Sequence, residues 1–428
     1  MKSKLSQKTI VILIIYLIAL IIFNVHIEQY QSYVSEFPDE FSHVGYIAYL
    51  KQTGKIIPEF ENMKETEKYK IHLREYKHEM LDIQKENEEK GDTENLNNVE
   101  TRFLENSTNH LGHPPLYYHI MKLFNLVKVQ DGSITYNLEA LRNISQVISN
   151  IALILVFAFA YKNLKSIVAN FVFAIILVNI PLFPYVSGAV SNDVLSLLGI
   201  SIFLLGANDL VKEKRNYSTY FLLAIGTFVC MMNKVTIGII IIITYLILLI
   251  YLTIKEKNVK YMMRKEFFVT VPIYLIILLY YILILQKYGV VQPVIQAIAP
   301  DYYKTTSFYN STIYKPAYSL KMYSKMYWNN FVNYWAGYNY GEKFPKHELK
   351  ESLISISIFA IPIVYFIIEK LRKKKIDIVN LSVCVGVYIT ILIQFIRQFI
   401  EFKTLSRIFR GLSFKILCMC NAFIYNFN

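Results

Sequence analysis

Long apolar runs limit what this chain can fold into more than any other feature of its sequence. Six runs with few or no charges lie at 10–23, 151–160, 235–254, 267–285, 353–368 and 381–396. Crossing a bilayer takes about 20 apolar residues, and lipid cannot satisfy free backbone groups, so each run is predicted to be a membrane helix. Hydrophobic residues make up 54% of the 428 residues, which excludes a soluble protein.

Clusters of positive charge predict which end of the bundle faces the cytoplasm. Lys and Arg accumulate on the cytoplasmic side of short loops. Five clusters lie at the N-terminus and at 162–165, 212–215, 255–265 and 370–375. If all five are cytoplasmic, the N-terminus is inside, and two spans, one outward and one inward, lie between each cluster and the next. The short apolar stretch 116–127 is then predicted to be an interfacial helix on the outer face.

This threading divides the chain into five predicted parts. They are a first transmembrane helix (1–28), an outer loop with an acidic motif and interfacial helices (29–138), a transmembrane bundle (139–286), a Tyr-rich outer loop (287–350) and C-terminal transmembrane helices (351–428). Between Glu59 and Glu105 the first loop carries fourteen acidic against eight basic residues. The basic excess therefore belongs to cytoplasmic loops that meet membrane lipids, and nucleic acid is not implied. Apolar residues recurring between Tyr69 and Ile83 predict an amphipathic helix there.

An acidic motif, Pro38-Asp39-Glu40-Phe41-Ser42-His43, directly follows the first span. Pro38 suits a first helical position, which would place both carboxylates in the first turn, where free N–H groups favour them. That structural role is one alternative. In the other, Asp39, His43 and Tyr46 share a helix face, and the helix lies on the membrane with this polar stripe exposed. Asp39 is then a candidate general base.

Three further polar residues fall on the same predicted outer side, and each has a structural alternative. His113 precedes two prolines and could simply stand before a helix begun by Pro114. Asp193 follows Asn192 and could cap its own span. Lys234 lies between two spans and could extend to the interface instead of binding an anion.

Four segments, in this order, resemble motifs of the GT-C membrane glycosyltransferases. PDEFSHVGYIAYLKQTGKIIP is similar to their first outer-loop motif, HPPLYYHIMKLF to the second, SNDVLSLLGISIFLL to the third and FVNYWAGYNYG to the late outer loop. The resemblance is closest to the branch of protein O-mannosyltransferases, aminoarabinose transferases and related bacterial membrane proteins. It implies an all-α, GT-C-like bundle of about ten transmembrane helices in the cell membrane.

The resemblance also implies an activity and a set of site residues. An inverting enzyme would move a sugar from a polyprenyl-phosphate donor to a lipid, glycan or protein acceptor at the outer face. Asp39 matches the catalytic acidic position, with Glu40 beside it. The implied substrate-binding residues are His43, His113, Tyr117, Asp193, Lys234 and Trp335. Lys234 and His113 are the candidates to stabilise the leaving phosphate. An interfacial aromatic belt is the alternative for Trp335.

Several expectations complete this interpretation. No metal is required, although a divalent cation held by Asp39 and Glu40 stays an alternative. Aminoarabinose transferases commonly have lysine where this chain has His113. The segment 401–428 departs from the family pattern, so the C-terminus is expected to be truncated and the product inactive if the missing part binds the donor. A noncatalytic polytopic membrane protein, or a transporter or flippase of lipid-linked sugars, is the alternative function.

Overall fold

A computed structural model describes residues 6–33, 37, 39–58, 70–72, 112–130, 133–262, 264–293, 320–335, 349–372 and 377–405. Within these ranges lie fourteen α-helices, a 3-10 turn and three short strands. The helices are α1 (Gln7–Tyr33), α2 (Glu40–Thr53), α3 (Leu116–Leu123), α4 (Leu138–Asn163), α5 (Ile167–Val178), α6 (Leu182–Ser187), α7 (Asp193–Val211), α8 (Tyr217–Met231), α9 (Val235–Glu256), α10 (Lys265–Phe268), α11 (Val271–Tyr288), α12 (Leu320–Trp335), α13 (Leu349–Leu371) and α14 (Ile378–Leu405). The strands are β1 (Lys70–His72), β2 (Val127–Gln130) and β3 (Ser133–Tyr136), and the 3-10 turn is Lys260–Met262.

Six helices in the described ranges are long and apolar enough to cross a membrane. They are Gln7–Ser32, Leu138–Asn163, Asp193–Val211, Val235–Glu256, Lys265–Tyr288 and Ile378–Arg397. Two shorter apolar helices, α5 and α8, accompany them. The predicted all-α membrane architecture is confirmed, whereas the predicted number of about ten spans is not. Helix α1 also runs to Tyr33, beyond the boundary predicted at residue 28.

The bundle is centred on α7, which packs against α8 through glycines. A Cβ atom on Gly226 of α8 would lie 2.5 Å from the backbone nitrogen of Phe203 on α7. One on Gly206 of α7 would lie 2.8 Å from the backbone nitrogen of Leu223. Small residues let membrane helices approach closely enough for their backbones to touch. Helices α1 and α11, in contrast, expose rows of large apolar side chains, as lipid-facing helices do.

Direct contacts define two opposite ends of the bundle. The first, here called the lysine end, gathers the C-termini of α4, α7 and α9. Lys162 and Lys214 lie 3.6 and 3.5 Å from the carboxylate oxygens of Asp209. Lys255 lies 2.8 Å from Glu213. Basic clusters that are far apart in the sequence therefore meet at one end, as the charge pattern predicts.

The second end, here called the site end, carries α2, α3 and a small sheet. Strand β3 pairs with β2 in antiparallel and with β1 in parallel orientation. The amphipathic helix predicted between residues 69 and 83 is wrong for Lys70–His72, which form β1; the rest of that segment lies outside the described residues. The interfacial helix predicted over 116–127 exists as α3 but ends at Leu123, and Val127 already begins β2.

Candidate functional site

Asp39 stands immediately before α2 in an unusual backbone conformation. Its φ is 65°, in the left-handed region, which Asp tolerates better than most residues. The helix begins at Glu40, so Asp39 precedes the first turn instead of lying in it as predicted. Pro38 lies outside the described residues. The side chain of Asp39 is half-buried at the site end.

Glu40, in contrast, is fully buried and paired. Arg142 on α4 donates two hydrogen bonds to its carboxylate, of 2.9 and 2.6 Å, and the backbone N–H of Val190 donates a third of 2.9 Å. The guanidinium of Arg142 also stacks over the ring of Phe37 at 4.9 Å. A two-pronged carboxylate–guanidinium pair is strong and geometrically specific. Glu40 therefore fastens α2 to α4, and the two adjacent carboxylates have different surroundings.

Helix α2 is buried on both faces, so the predicted exposed polar stripe is wrong. His43 and Tyr46 are both buried, because α3 covers the stripe. The Nδ1 atom of His43 lies 2.9 Å from the hydroxyl of Tyr118. The rings of Tyr46 and Tyr118 stack with centroids 3.8 Å apart. Aromatic stacking and one hydrogen bond thus join the acidic motif to the proline-tyrosine motif.

Two adjacent tyrosines of α3 point into this junction. The hydroxyl of Tyr117 lies 2.9 Å from the Oγ of Ser145 on α4. Burial raises the pKa of the Tyr117 hydroxyl, and burial also raises the pKa of Tyr118 well above 10.0. Tyr117 and the negative charges of Asp193 and Asp39 shift the pKa of Tyr118 in the same direction. Both phenols are therefore neutral hydrogen-bonding groups at physiological pH.

His113 connects α2 to the start of α7. Its backbone carbonyl accepts a 3.0 Å hydrogen bond from the hydroxyl of Tyr46, and its Nδ1 lies 3.2 Å from the Nδ2 of Asn192. The helix after it begins at Leu116, not at Pro114 as the alternative interpretation had it. The N–H of Leu116 donates to the carbonyl of Met232, at the turn between α8 and α9.

A buried ion pair joins the starts of α7 and α9. The Nζ of Lys234 lies 2.5 Å from Oδ1 of Asp193, and each side chain is 5% exposed. The interpretation in which Lys234 extends to the interface is therefore wrong. Asp193 is the first residue of α7 and its carboxylate binds Lys234, while the N-cap position is occupied by Asn192, without a side-chain capping bond.

An amide pair lies directly beside this ion pair. Asn192 and Asn233 each donate from Nδ2 to the other's backbone carbonyl, at 3.2 and 2.6 Å. The Nδ2 of Asn233 also donates to Ser196 Oγ at 2.6 Å. The sequence interpretation missed Asn233, Arg142 and Ser145. Arg142 alone had a visible signal, a lone cation near the start of an apolar helix, since ionisable residues in membrane helices are rarely without a role.

Two predictions about this site stay untested. Trp335 is the last residue of α12, and its side chain lies outside the described residues. Within the described part of the chain, no group of three or more His, Cys, Asp or Glu side chains is arranged to hold a metal ion. Whether a divalent cation takes part remains a matter of prediction.

Seven of the eight predicted site residues lie at one end of the bundle. They come from α2 and the residue before it, from α3 and its approach, and from the starts of α7 and α9; they are Asp39, Glu40, His43, His113, Tyr117, Asp193 and Lys234. Polar contacts through Tyr118, Asn192 and Asn233 link the four segments one to the next. Polar and charged groups so close together in a membrane protein usually mark a functional site.

The fold and this cluster define a polytopic helical membrane protein with a buried polar cluster at one end. The chain belongs to the family described as "Predicted membrane protein (DUF2142)", whose model matches residues 17–399. No curated protein and no solved structure matches the chain significantly.

Proposed function

We propose that this protein is a membrane glycosyltransferase of the GT-C type. It would transfer a sugar from a polyprenyl-phosphate donor to an acceptor at the outer membrane face. One observation carries the proposal: residues up to about two hundred positions apart in the sequence, Asp39 to Lys234, meet in one cluster at a single end of the bundle. The first three of the four GT-C-like motifs contribute residues to this cluster, and the segment that carries Asn233 and Lys234 is the fourth contributor.

Asp39 is the proposed general base. As the acceptor hydroxyl oxygen bonds to the anomeric carbon, its proton passes to the Asp39 carboxylate and the polyprenyl phosphate departs with the bonding electrons of the broken C–O bond. Glu40 is unsuited to this step because both of its oxygens accept hydrogen bonds from Arg142. We assign Glu40 a positioning role: it fixes the start of α2 and with it the neighbouring Asp39.

The departing phosphate needs positive charge or hydrogen-bond donors. Helices α7 and α9 both begin within the cluster, and helix N-termini favour anions. Lys234 has three N–H groups, of which one reaches Asp193, so it remains the candidate cation. His113 is the other candidate donor: its Nδ1 accepts from the Nδ2 of Asn192, which leaves Nε2 to carry the proton.

The proposal is tested with purified full-length protein in proteoliposomes that contain polyprenyl-phosphate sugars labelled in the sugar. Wild type should transfer the label to an acceptor or to water. Asp39→Asn should slow this by about 10²–10⁴-fold, the usual contribution of a general base. Glu139→Gln is the matched control, because Glu139 is an exposed carboxylate at the start of α4. Equal rates for wild type and Asp39→Asn would overturn the assignment, and movement of intact donor across the bilayer would favour a flippase.

A further inference from the structure

Three lysines from three different elements gather at the rim of the site end. Lys51 lies in the last turn of α2, Lys122 in the last turn of α3 and Lys128 on β2. The Nζ of Lys51 donates to the carbonyl of Val127 at 2.6 Å, next to Lys128. The Nζ of Lys122 donates to the carbonyl of Leu50 at 3.0 Å, next to Lys51. The charges of Lys122 and Lys128 both act on Lys51, so the fold holds the three ammonium groups near one another.

These ammonium groups repel one another. Partial burial lowers the pKa of Lys51, and the charges of Lys128 and Lys122 lower it further. Within the described residues, none of the three lysines forms an ion pair with a carboxylate. Each ammonium has three N–H groups, so donors remain for a further partner. A negative ion placed among them would relieve the repulsion.

Large apolar side chains project from the same rim. Leu123 is 81% exposed and Ile56 is 77% exposed, and Phe124 is half-exposed beside Leu123. The turn that presents Leu123 and Phe124 is fixed, because Asn125 has a φ of 54° and its side chain accepts a hydrogen bond from Lys51. His119 on α3 lies within 2.9 Å of the carbonyl of Ile56. Ile56, Leu123 and Phe124, here called the apolar tip, thus form one rigid surface with the three lysines.

The position of this surface relative to lipid follows from α11. That helix exposes a long apolar row to the outside, as a lipid-facing helix does. Ile57 packs against its last turns, and the hydroxyl of Tyr288, its last residue, lies 3.4 Å from the carbonyl of Pro58. The loop that carries Ile56 therefore lies at the end of the exposed apolar row of α11.

We propose that this surface, formed by Lys51, Lys122, Lys128, Ile56, Leu123 and Phe124, binds anionic phospholipid headgroups of the adjacent leaflet. The lysines contact the lipid phosphates, and the apolar tip enters the boundary between headgroups and acyl chains. Basic residues beside exposed apolar side chains bind a membrane surface by charge and burial together. The surface would hold the rim of the site, built by α2 and α3, against the bilayer. This proposal does not depend on glycosyl transfer.

The test uses full-length protein in phosphatidylcholine vesicles that contain a photoactivatable phosphatidylglycerol carrying its reactive group near the headgroup. Mass spectrometry locates the cross-linked peptides. We expect labelling of residues 116–130, competed by unlabelled phosphatidylglycerol and not by phosphatidylcholine. Replacing Lys128, the exposed lysine of β2, by Gln should weaken this labelling roughly five-fold, and each further lysine by a similar factor. Lys51 and Lys122 donate hydrogen bonds to backbone carbonyls of the fold, and Lys128→Gln leaves both of these bonds in place. Weaker labelling of this variant would therefore not come from a folding defect.

A triple variant, Lys257→Gln/Lys260→Gln/Lys265→Gln, is the matched control. It loses the same charge from exposed lysines at the opposite end, and it should leave labelling of 116–130 unchanged.

Equal labelling by a phosphatidylcholine probe, or no effect of Lys128→Gln and of the triple Lys51/Lys122/Lys128 variant, would overturn the proposal. Displacement by polyprenyl phosphate but not by phosphatidylglycerol would overturn it in favour of the donor. Carbodiimide cross-links from Lys122 or Lys128 to the acidic segment 59–105 would overturn it in favour of that segment.

Discussion

At the scale of single residues, the two carboxylates of the acidic motif have opposite surroundings. Glu40 is buried, and its carboxylate accepts hydrogen bonds from a guanidinium and a backbone N–H. Asp39 is half-buried at the edge of the same cluster. Both oxygens of Glu40 already accept hydrogen bonds from the protein, so this carboxylate is poorly placed to accept one from a substrate. Identical chemistry in adjacent positions therefore serves structure in one case and, as proposed, catalysis in the other.

We expect Glu40→Gln to destabilise the protein by about 3–5 kcal/mol, the usual cost of leaving the partner of a buried ion pair alone. Arg142 would keep its charge, largely out of water, without its carboxylate. Thermal unfolding in detergent micelles measures the effect, with Glu139→Gln as the control. The double variant Glu40→Gln/Arg142→Met should recover part of the loss. Glu40→Gln with the stability of wild type would show that this pair does not fasten α2.

A second residue-scale expectation concerns alkaline pH. Burial raises the pKa of Tyr118 in the folded protein above the value of about 10 that the unfolded chain has. The folded state then holds the proton more tightly, so the stability that this tyrosine contributes is complete below about pH 10 and falls as the pH rises further. Tyr118→Phe should make the loss of stability above pH 10 less steep.

The same variant should cost about 1 kcal/mol at neutral pH, because the hydrogen bond to His43 is lost. Chemical unfolding at a series of pH values measures both effects. Ser145→Ala is the control: it removes the hydrogen bond of Tyr117, which lowers the pKa of that phenol, so it should reduce stability at neutral pH without making the alkaline loss less steep. An alkaline slope unchanged by Tyr118→Phe would contradict the expectation.

At the scale of helices, the close contact of α7 with α8 fixes the site. Asn192 and Asp193 begin α7, while Met232 and Asn233 follow α8, so any separation of these helices moves the amide pair apart. Gly226 lies at the closest approach, where an added methyl group would meet the backbone of Phe203. No flexible side chain can move aside there, because the obstacle is main chain.

Gly226→Ala should therefore destabilise the protein by about 1–3 kcal/mol, the usual cost of overpacking, even though Ala favours helix. Ile225→Ala is the control, since Ile225 is exposed on the neighbouring position of α8. Thermal unfolding measures both variants, and under the proposed function transferase activity should fall with Gly226→Ala alone. A variant as stable as wild type would show that the helices adjust without strain.

How much of the fold and of the candidate site the sequence predicts depends on the kind of element. The membrane helices and α3 were predictable because apolar runs and their lengths are local features. The gathering of Asp39, His113 and Lys234 at one end followed from alternating spans and charge. The contacts themselves did not follow: Glu40 and Arg142 are 102 positions apart, and Asn192 and Asn233 are 41 apart. The burial of α2 was missed because α3, not water, covers its polar stripe.

At the scale of the whole molecule, the site end and the lysine end carry their positive charge differently. The lysine end gathers the basic sequence clusters at 162–165, 212–215 and 255–265, whereas Lys51, Lys122 and Lys128 at the site end are single residues from three separate segments. Since basic residues are retained in the cytoplasm, we expect the site end to face outward and the lysine end inward. Lipid-linked sugars presented on the outer leaflet would then reach Asp39 without crossing the bilayer.

Cysteine labelling in whole cells measures this orientation. Cys230 and Cys384 are buried, so with all four native cysteines replaced by Ser, a single cysteine can be introduced at Glu139 of the site end or at Lys257 of the lysine end, both exposed. A membrane-impermeant maleimide should label the Glu139→Cys protein in intact cells, and the Lys257→Cys protein only after permeabilisation. The reverse pattern would place the candidate site in the cytoplasm. It would contradict transfer at the outer face while leaving the internal contacts of the cluster unaffected, because these depend on packing and not on orientation.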